Sequence, residues 1–146
     1  MVDIYISSVS PKGFHQCVID GNAQSVWMYL HDLEQNCVLS DAPICCLIEP
    51  ISYDEFKKTY KRADTPPFVK GYTSDRAIIP DIESSRLNIQ WADDGISVVA
   101  SIDDEPFSMI IRNEKNSYSK SIKQSGPWGR PWDETIYREI FGYQNV

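Results

Sequence analysis

The stretch Leu87-Asn88-Ile89-Gln90-Trp91-Ala92-Asp93-Asp94-Gly95 decides how this chain folds. Leu87, Ile89 and Trp91 alternate with Asn88, Gln90 and Ala92, which is the pattern of a strand with one buried face. Gly95 takes positive φ without steric cost, and the two aspartates can hydrogen-bond their own backbone, so 93–95 reads as a hairpin turn. The segment 96–102 that follows is apolar on both faces, as in a central strand covered on both sides. Asp103-Asp104-Glu105-Pro106 makes the next turn, Pro106 suiting a turn or a strand start. Phe107, Met109 and Ile111 are expected on one face of a third strand, with Ile110 opposite. After a turn at 113–116, the segment 118–122 reads as a polar fourth strand whose Lys120 and Lys123 suit a sheet edge.

Upstream, 4–6 reads as a short strand. The runs 14–19 and 25–31 flank Asp20-Gly21-Asn22-Ala23, a hairpin signal. In the second run Val26, Met28 and Leu30 face one way and Trp27, Tyr29 and His31 the other. The segment 34–43 is polar and loop-like, and 44–49 is a dense apolar strand. Ser52-Tyr53-Asp54-Glu55 has the form of a capping box and predicts a helix over 53–62. Tyr53, Phe56 and Tyr60 share its stripe, and Lys57, Lys58, Lys61 and Arg62 lie at its negative end. The segment 64–85 is broken by Pro66, Pro67, Gly71 and Pro80. Such a connection exceeds the usual loop, so it is either functional or holds short elements of its own. Downstream, Pro131 suits the first turn of a helix over 132–141, with Asp133 and Glu134 at its positive end and Gly142 stopping it. Trp132, Ile136 and Ile140 form its apolar stripe. The expected fold is α+β: a mostly antiparallel meander of six to eight strands with two packing helices. The earlier strands are expected to extend the sheet of 87–123, and the C-terminal helix to cover it.

A length of 146 residues suits one domain, 1–146, with a real core. The net charge of −7 disfavours nucleic acid and anionic membrane, and permits a basic protein partner. No leader peptide and no apolar run of membrane-spanning length is seen, so the chain is expected to be soluble and cytoplasmic. The four cysteines, Cys17, Cys37, Cys45 and Cys46, show no zinc-finger or CxxC spacing and read as reduced, mostly buried thiols.

Candidate chemistry is sparse. Asp93 and Asp94 sit at one end of the 96–102 strand, and Asp103, Asp104 and Glu105 at the other, roughly 20 Å apart at ~3.3 Å per residue. One metal cannot bridge them, and solvated turns account for both groups. His15 and Cys17 share a strand face, and His31 could lie across the hairpin. A metal pair or thiol–imidazole pair competes there with buried structural thiols and a surface histidine, the better reading. Trp128 and Trp132 flank Arg130, residue types that dominate binding hot spots. Trp132 falls on the helix stripe, whereas Trp128 is divided evenly between core cap and contact. No catalytic motif, metal site or cofactor-binding loop is recognised.

Val26-Trp27-Met28-Tyr29-Leu30, Ala42-Pro43-Ile44-Cys45-Cys46-Leu47-Ile48, Ile89-Gln90-Trp91-Ala92-Asp93-Asp94-Gly95, Ile102-Asp103-Asp104-Glu105-Pro106 and Tyr118-Ser119-Lys120 carry a resemblance. The pattern W-x-x-D-G, an apolar strand, a polar turn with proline and a second apolar strand resembles a group of small uncharacterised bacterial proteins. The resemblance spans 26–120 and implies a bacterial cytoplasmic sheet domain with no assigned catalytic residues. The leading expectation is therefore a non-catalytic protein-binding domain, in its sharpest form an immunity-type protein neutralising a basic toxin or enzyme. Trp128, Arg130, Asp103, Asp104 and Glu105 are its candidate contacts. The alternatives are a small-molecule-binding domain or enzyme, with a pocket between the sheet and the 64–85 connection, and a structural homodimer.

Overall fold

A computed structural model describes residues 4–60 and 66–142. They form nine strands and two α-helices. The strands divide into two sheets. The first, antiparallel in the order β1-β2-β3-β4, holds β1 (Ile4–Val9), β2 (His15–Gly21), β3 (Ser25–Asp32) and β4 (Cys37–Cys46). The second, in the order β5-β6-β7-β8-β9, holds β5 (Leu87–Trp91), β6 (Val98–Ile102), β7 (Glu105–Ile110), β8 (Tyr118–Ser119) and β9 (Arg130–Pro131). The α+β class and the antiparallel meander stand. The early strands, however, do not extend the later sheet: they stack upon it. The reason is that both sets carry an apolar face. Ile19, Met28 and Ile44 of the first sheet and Leu87, Val98 and Ile102 of the second share one core.

Polar bonds close this sandwich at both margins. Trp91 Nε1 donates to Ser8 Oγ at 2.9 Å, and Ser10 Oγ donates to Gly95 O at 2.7 Å. At the opposite margin Ser108 Oγ donates to Pro43 O at 2.7 Å. β6 is covered on both faces as expected, with Val98 and Ala100 in the shared core and Val99 in a second cluster beneath α2 (Glu134–Phe141). The expected strand at 96–102 begins only at Val98, because the Asp94 carboxylate takes the amides of Ile96 and Ser97 and holds them in the turn. Asp103 and Asp104, at φ 51° and 68°, form the two-residue loop between β6 and β7, the geometry that matches strand twist.

Several local expectations change. Ala100 pairs with Ser108 and Ser101 with Pro106, so Phe107 is an inserted residue. This bulge turns Phe107 into the shared core while Met109 and Ile111 face α2, rather than all three sharing one face. The segment 34–43 is not a loop throughout: β4 starts at Cys37 and pairs with β3 along its length, its first half reading as polar because that half is exposed. The fourth strand stops at Ser119, and it is no edge, since β9 pairs with it in parallel. Pro131 lies in β9 and Asp133 caps α2 by accepting from Ile136 N at 3.1 Å, which starts the helix two residues later than expected.

Ser52 caps α1 (Tyr53–Thr59) by accepting from Glu55 N at 3.1 Å, as the capping box requires. Lys61 and Arg62 of the expected helix lie outside the described residues. The connection between α1 and β5 does hold short elements. They are 3-10 turns at Asp75–Ala77 and Ser84–Arg86 and isolated bridges Ile51–Val69, Cys46–Ile78 and Thr73–Ile122. It also contributes Ile82 to the shared core.

Candidate functional site

The outer face of the four-stranded sheet is the feature that packing does not explain. Val26, Met28 and Leu30 point into the shared core, so alternation turns Trp27, Tyr29 and His31 outward. The cross-strand rows are Tyr5–Asp20–Trp27–Pro43, Ser7–Val18–Tyr29–Asp41 and Val9–Gln16–His31–Val38. One row further on, Leu33 N donates to Phe14 O at 3.0 Å. Tyr5 and Phe14 on this face are 61% and 53% exposed, and Val9, Leu33 and Val38 are exposed too. Of the eight large apolar side chains exposed among the described residues, five therefore line this face, and a sixth, Leu39, stands at its margin.

Its charge is one-sided. Between Ile4 and Cys46 the chain carries four carboxylates, Asp20, Asp32, Glu34 and Asp41, and one cation, Lys12. The Lys12 stem lies against Gly95 of the other sheet. Asp32 is occupied in its turn, accepting from Glu34 N and Gln35 N at 2.9 and 3.0 Å. Asp20 and Asp41 stand in the outward rows, exposed as residues. Desolvation nevertheless raises the Asp41 carboxyl above its ordinary value.

The other end of this face is covered. Trp27 packs edge-on against Phe68, ring centroids 6.0 Å apart, and its Nε1 donates to Pro66 O at 2.8 Å. Trp128 is half-buried beside it, its ring 4.8 Å from Tyr72 and 5.5 Å from Phe56. Trp128 thus caps aromatic packing and is not a free anchor. Arg130 is also engaged. Its Nη2 donates to Glu114 Oε1 at 2.7 Å and to Asn116 O at 2.6 Å, and its guanidinium lies 4.0 Å above the Tyr118 ring centre. In the acidic turn, Arg86 grips Asp103 through Nε and Nη2, and Arg76 and Lys120 both donate to Glu105 Oε2 at 2.6 and 2.9 Å. These cations hold the Asp103 and Glu105 carboxyls below their ordinary range, chiefly through the hydrogen bonds. Asp104 is exposed at the tip. The structure therefore does not gather the five candidate contacts into one free surface, and most of their charge is satisfied internally.

His15 and His31 do not converge. His15 shares the inward parity of Cys17, whereas His31 pairs with Gln16 and faces outward. Burial pushes the Cys17 thiol up to about 12, and burial followed by the neighbouring Cys46 does the same to Cys45. Burial, then Glu49, raises Cys46 to about 11. Such thiols are protonated at neutral pH and unsuited to nucleophilic attack. Among the described residues no group of three His, Cys, Asp or Glu side chains is placed to hold a metal ion. Nor is any helix long and apolar enough to cross a membrane.

Several clefts open among the described residues, two of them at the ends of the first sheet. One of about 380 Å³ lies between α1, the end of β4 and Phe68 of the connection, lined also by Ile51 and the carboxylates Glu49 and Glu55. The other, about 360 Å³, opens at one end of the sandwich beside His15, Leu39 and Arg112. Comparison with protein-family models, with curated proteins and with solved structures finds no match. The exposed sheet face escaped the sequence reading because alternate apolar residues on both faces of β3 signal burial on both sides. The signal that could have found it is the near-absence of Lys and Arg across residues 4–46.

Proposed function

We propose that this chain is a non-catalytic binding protein whose outer β1–β4 face docks a basic protein partner. The observation that carries this is the concentration of exposed Tyr5, Val9, Phe14, Leu33 and Val38 on one sheet face whose charged neighbours are carboxylates. Exposed apolar side chains gathered on one face in this way mark interaction sites. Aromatic side chains contribute most of the energy at such sites, while one-signed charge steers the encounter. The acidic whole, at −7, adds to that steering. An immunity-type role, in which this chain covers the working surface of a basic toxin or enzyme, is the sharpest form of the reading. The resemblance to small bacterial proteins is consistent with it.

The test is capture of a partner by the tagged chain, washed at low and moderate salt, beside the double variant Tyr5→Lys/Val9→Lys. The expected result is one basic protein retained in stoichiometric amount by the native chain and lost by the variant. The activity of that partner should fall when the native chain is added back. Retention by the variant, with loss on Asp103→Lys/Asp104→Lys, would move the contact to the β6–β7 turn. Light scattering that gives twice the monomer mass, abolished by the same β1 variant, would assign the face to a second copy instead.

A further inference from the structure

We propose that the cleft at the open end of the sandwich binds a small organic anion, a carboxylate with an apolar body, through Arg112 and His15. The cleft of about 360 Å³ lies between the β2–β4 end of the first sheet and the residues that follow β7. That volume falls at the lower end of the ~300–1,000 Å³ typical of ligand pockets, which suits a short alkyl chain or a single ring. Its walls include Leu30 and Ile110, both part of the core shared by the sheets, which give it an apolar side. Leu39 stands at the mouth, 49% exposed.

The polar groups at the rim are what select an anion. Five arginines are described, and Arg76, Arg86, Arg130 and Arg138 each form an ion pair. Arg112 forms none among the described residues, although the chain as a whole carries an excess of carboxylates. Its backbone is fixed, because Arg112 N donates to Ser97 Oγ at 2.9 Å. Asp94 feels the Arg112 charge, but its oxygens are already taken by Ile96 N, Ser97 N and Ser97 Oγ. Glu114 also lines the cleft, but Arg130 and the Tyr118 hydroxyl each hold its Oε1 at 2.7 Å. Among the described residues the Arg112 guanidinium makes no side-chain hydrogen bond, and its planar fork of donors matches a carboxylate. His15 and Ser40 supply further donors beside it.

Calorimetric titration of the full chain with octanoate tests this, with octylamine and octanol as the matched cation and neutral probes. Octanoate should bind at one site, octylamine should not, and octanol should bind far more weakly. Arg112→Gln should weaken octanoate roughly tenfold, the loss expected for a charge-assisted pair. Arg112 is exposed and its pull on Asp94 ranks behind the Ile96 and Ser97 hydrogen bonds, so this variant should shift the melting curve only slightly. Leu39→Trp, which fills the mouth from an exposed position, should abolish binding while leaving Arg112 in place. Equal affinity for octanol and octanoate, or unchanged octanoate binding by Arg112→Gln, would overturn the proposal. The β1 variant Tyr5→Lys/Val9→Lys touches neither wall nor rim, so this site and the docking face stand or fall separately.

Discussion

Ser108 Oγ donates to the carbonyl oxygen of Pro43 at 2.7 Å, and this bond joins β7 of one sheet to β4 of the other. It begins a buried chain of hydroxyls. Ser108 and Ser119 lie 2.8 Å apart and Ser119 and Ser121 2.6 Å apart, all three fully buried. Each hydroxyl has one proton, so the direction follows: Ser108 donates to Pro43, Ser119 to Ser108 and Ser121 to Ser119. Ser119 Oγ also accepts from Ser121 N at 3.0 Å. Ser119→Ala removes the middle of this chain and leaves buried groups unpaired. It should cost about 1–3 kcal/mol in urea unfolding, more than Ser108→Ala at the end of the chain. A loss below about 0.5 kcal/mol, the level of ordinary surface changes, would contradict that role.

Asp94 is the second prediction. Burial pushes its carboxyl up, but the amides of Ile96 and Ser97, the Ser97 hydroxyl and the Arg112 charge together hold it below its ordinary value. A carboxyl depressed by folding adds stability above the unfolded carboxylate range, and that stability is lost as pH falls through the folded value. The window therefore lies below about pH 4. Asp94→Ala should lose about 2 kcal/mol at neutral pH, where three hydrogen bonds disappear. It should also flatten the acid limb of the stability curve. Chemical unfolding at a series of pH values measures both.

The thiols give a third. Cys37 is exposed, whereas Cys17, Cys45 and Cys46 are buried, free and raised by that burial. Iodoacetamide at pH 8 should label the native chain once, at Cys37, and label all four cysteines in denaturant. Native labelling of Cys17 would show that the shared core opens on the timescale of the reaction.

Gly21 is the fourth. The Asp20-Gly21 pair reads from sequence as turn, yet Gly21 is the last residue of β2 and pairs with both Ile4 and Val26. A Cβ there would meet Val26 Cγ2 at 2.9 Å, Ser25 O at 3.1 Å and Ile4 Cβ at 3.2 Å. Gly21→Ala should destabilise by roughly 1–3 kcal/mol, the usual cost of overpacking. A neutral result would mean that β1 shifts freely at its start.

Much of the local structure was legible beforehand for particular reasons. The Asp93-Asp94-Gly95 turn, the Ser52 cap and the apolar stripe of α2 each depend on groups within a few residues of one another. Where the reading went astray, a distant partner intervened. The Phe107 bulge is set by pairing with β6, and the exposed half of β4 is a strand because β3 lies beside it. Trp128 could not be assigned from sequence, since its neighbours Phe56 and Tyr72 come from elements far apart in the chain.

By itself, the sequence determined the α+β class, most of the hairpins, both helices and the acidic balance. Alternation, turn chemistry and capping act over a handful of residues and need no knowledge of the rest. Only the tertiary structure decided that the strands split into two stacked sheets. It also decided that one outer face keeps Tyr5 and Phe14 in solvent, and that Arg112 alone among the described arginines has no carboxylate within 4 Å. Those outcomes depend on which apolar face finds another to bury against and which charges the fold brings within reach, and neither is written in local spacing.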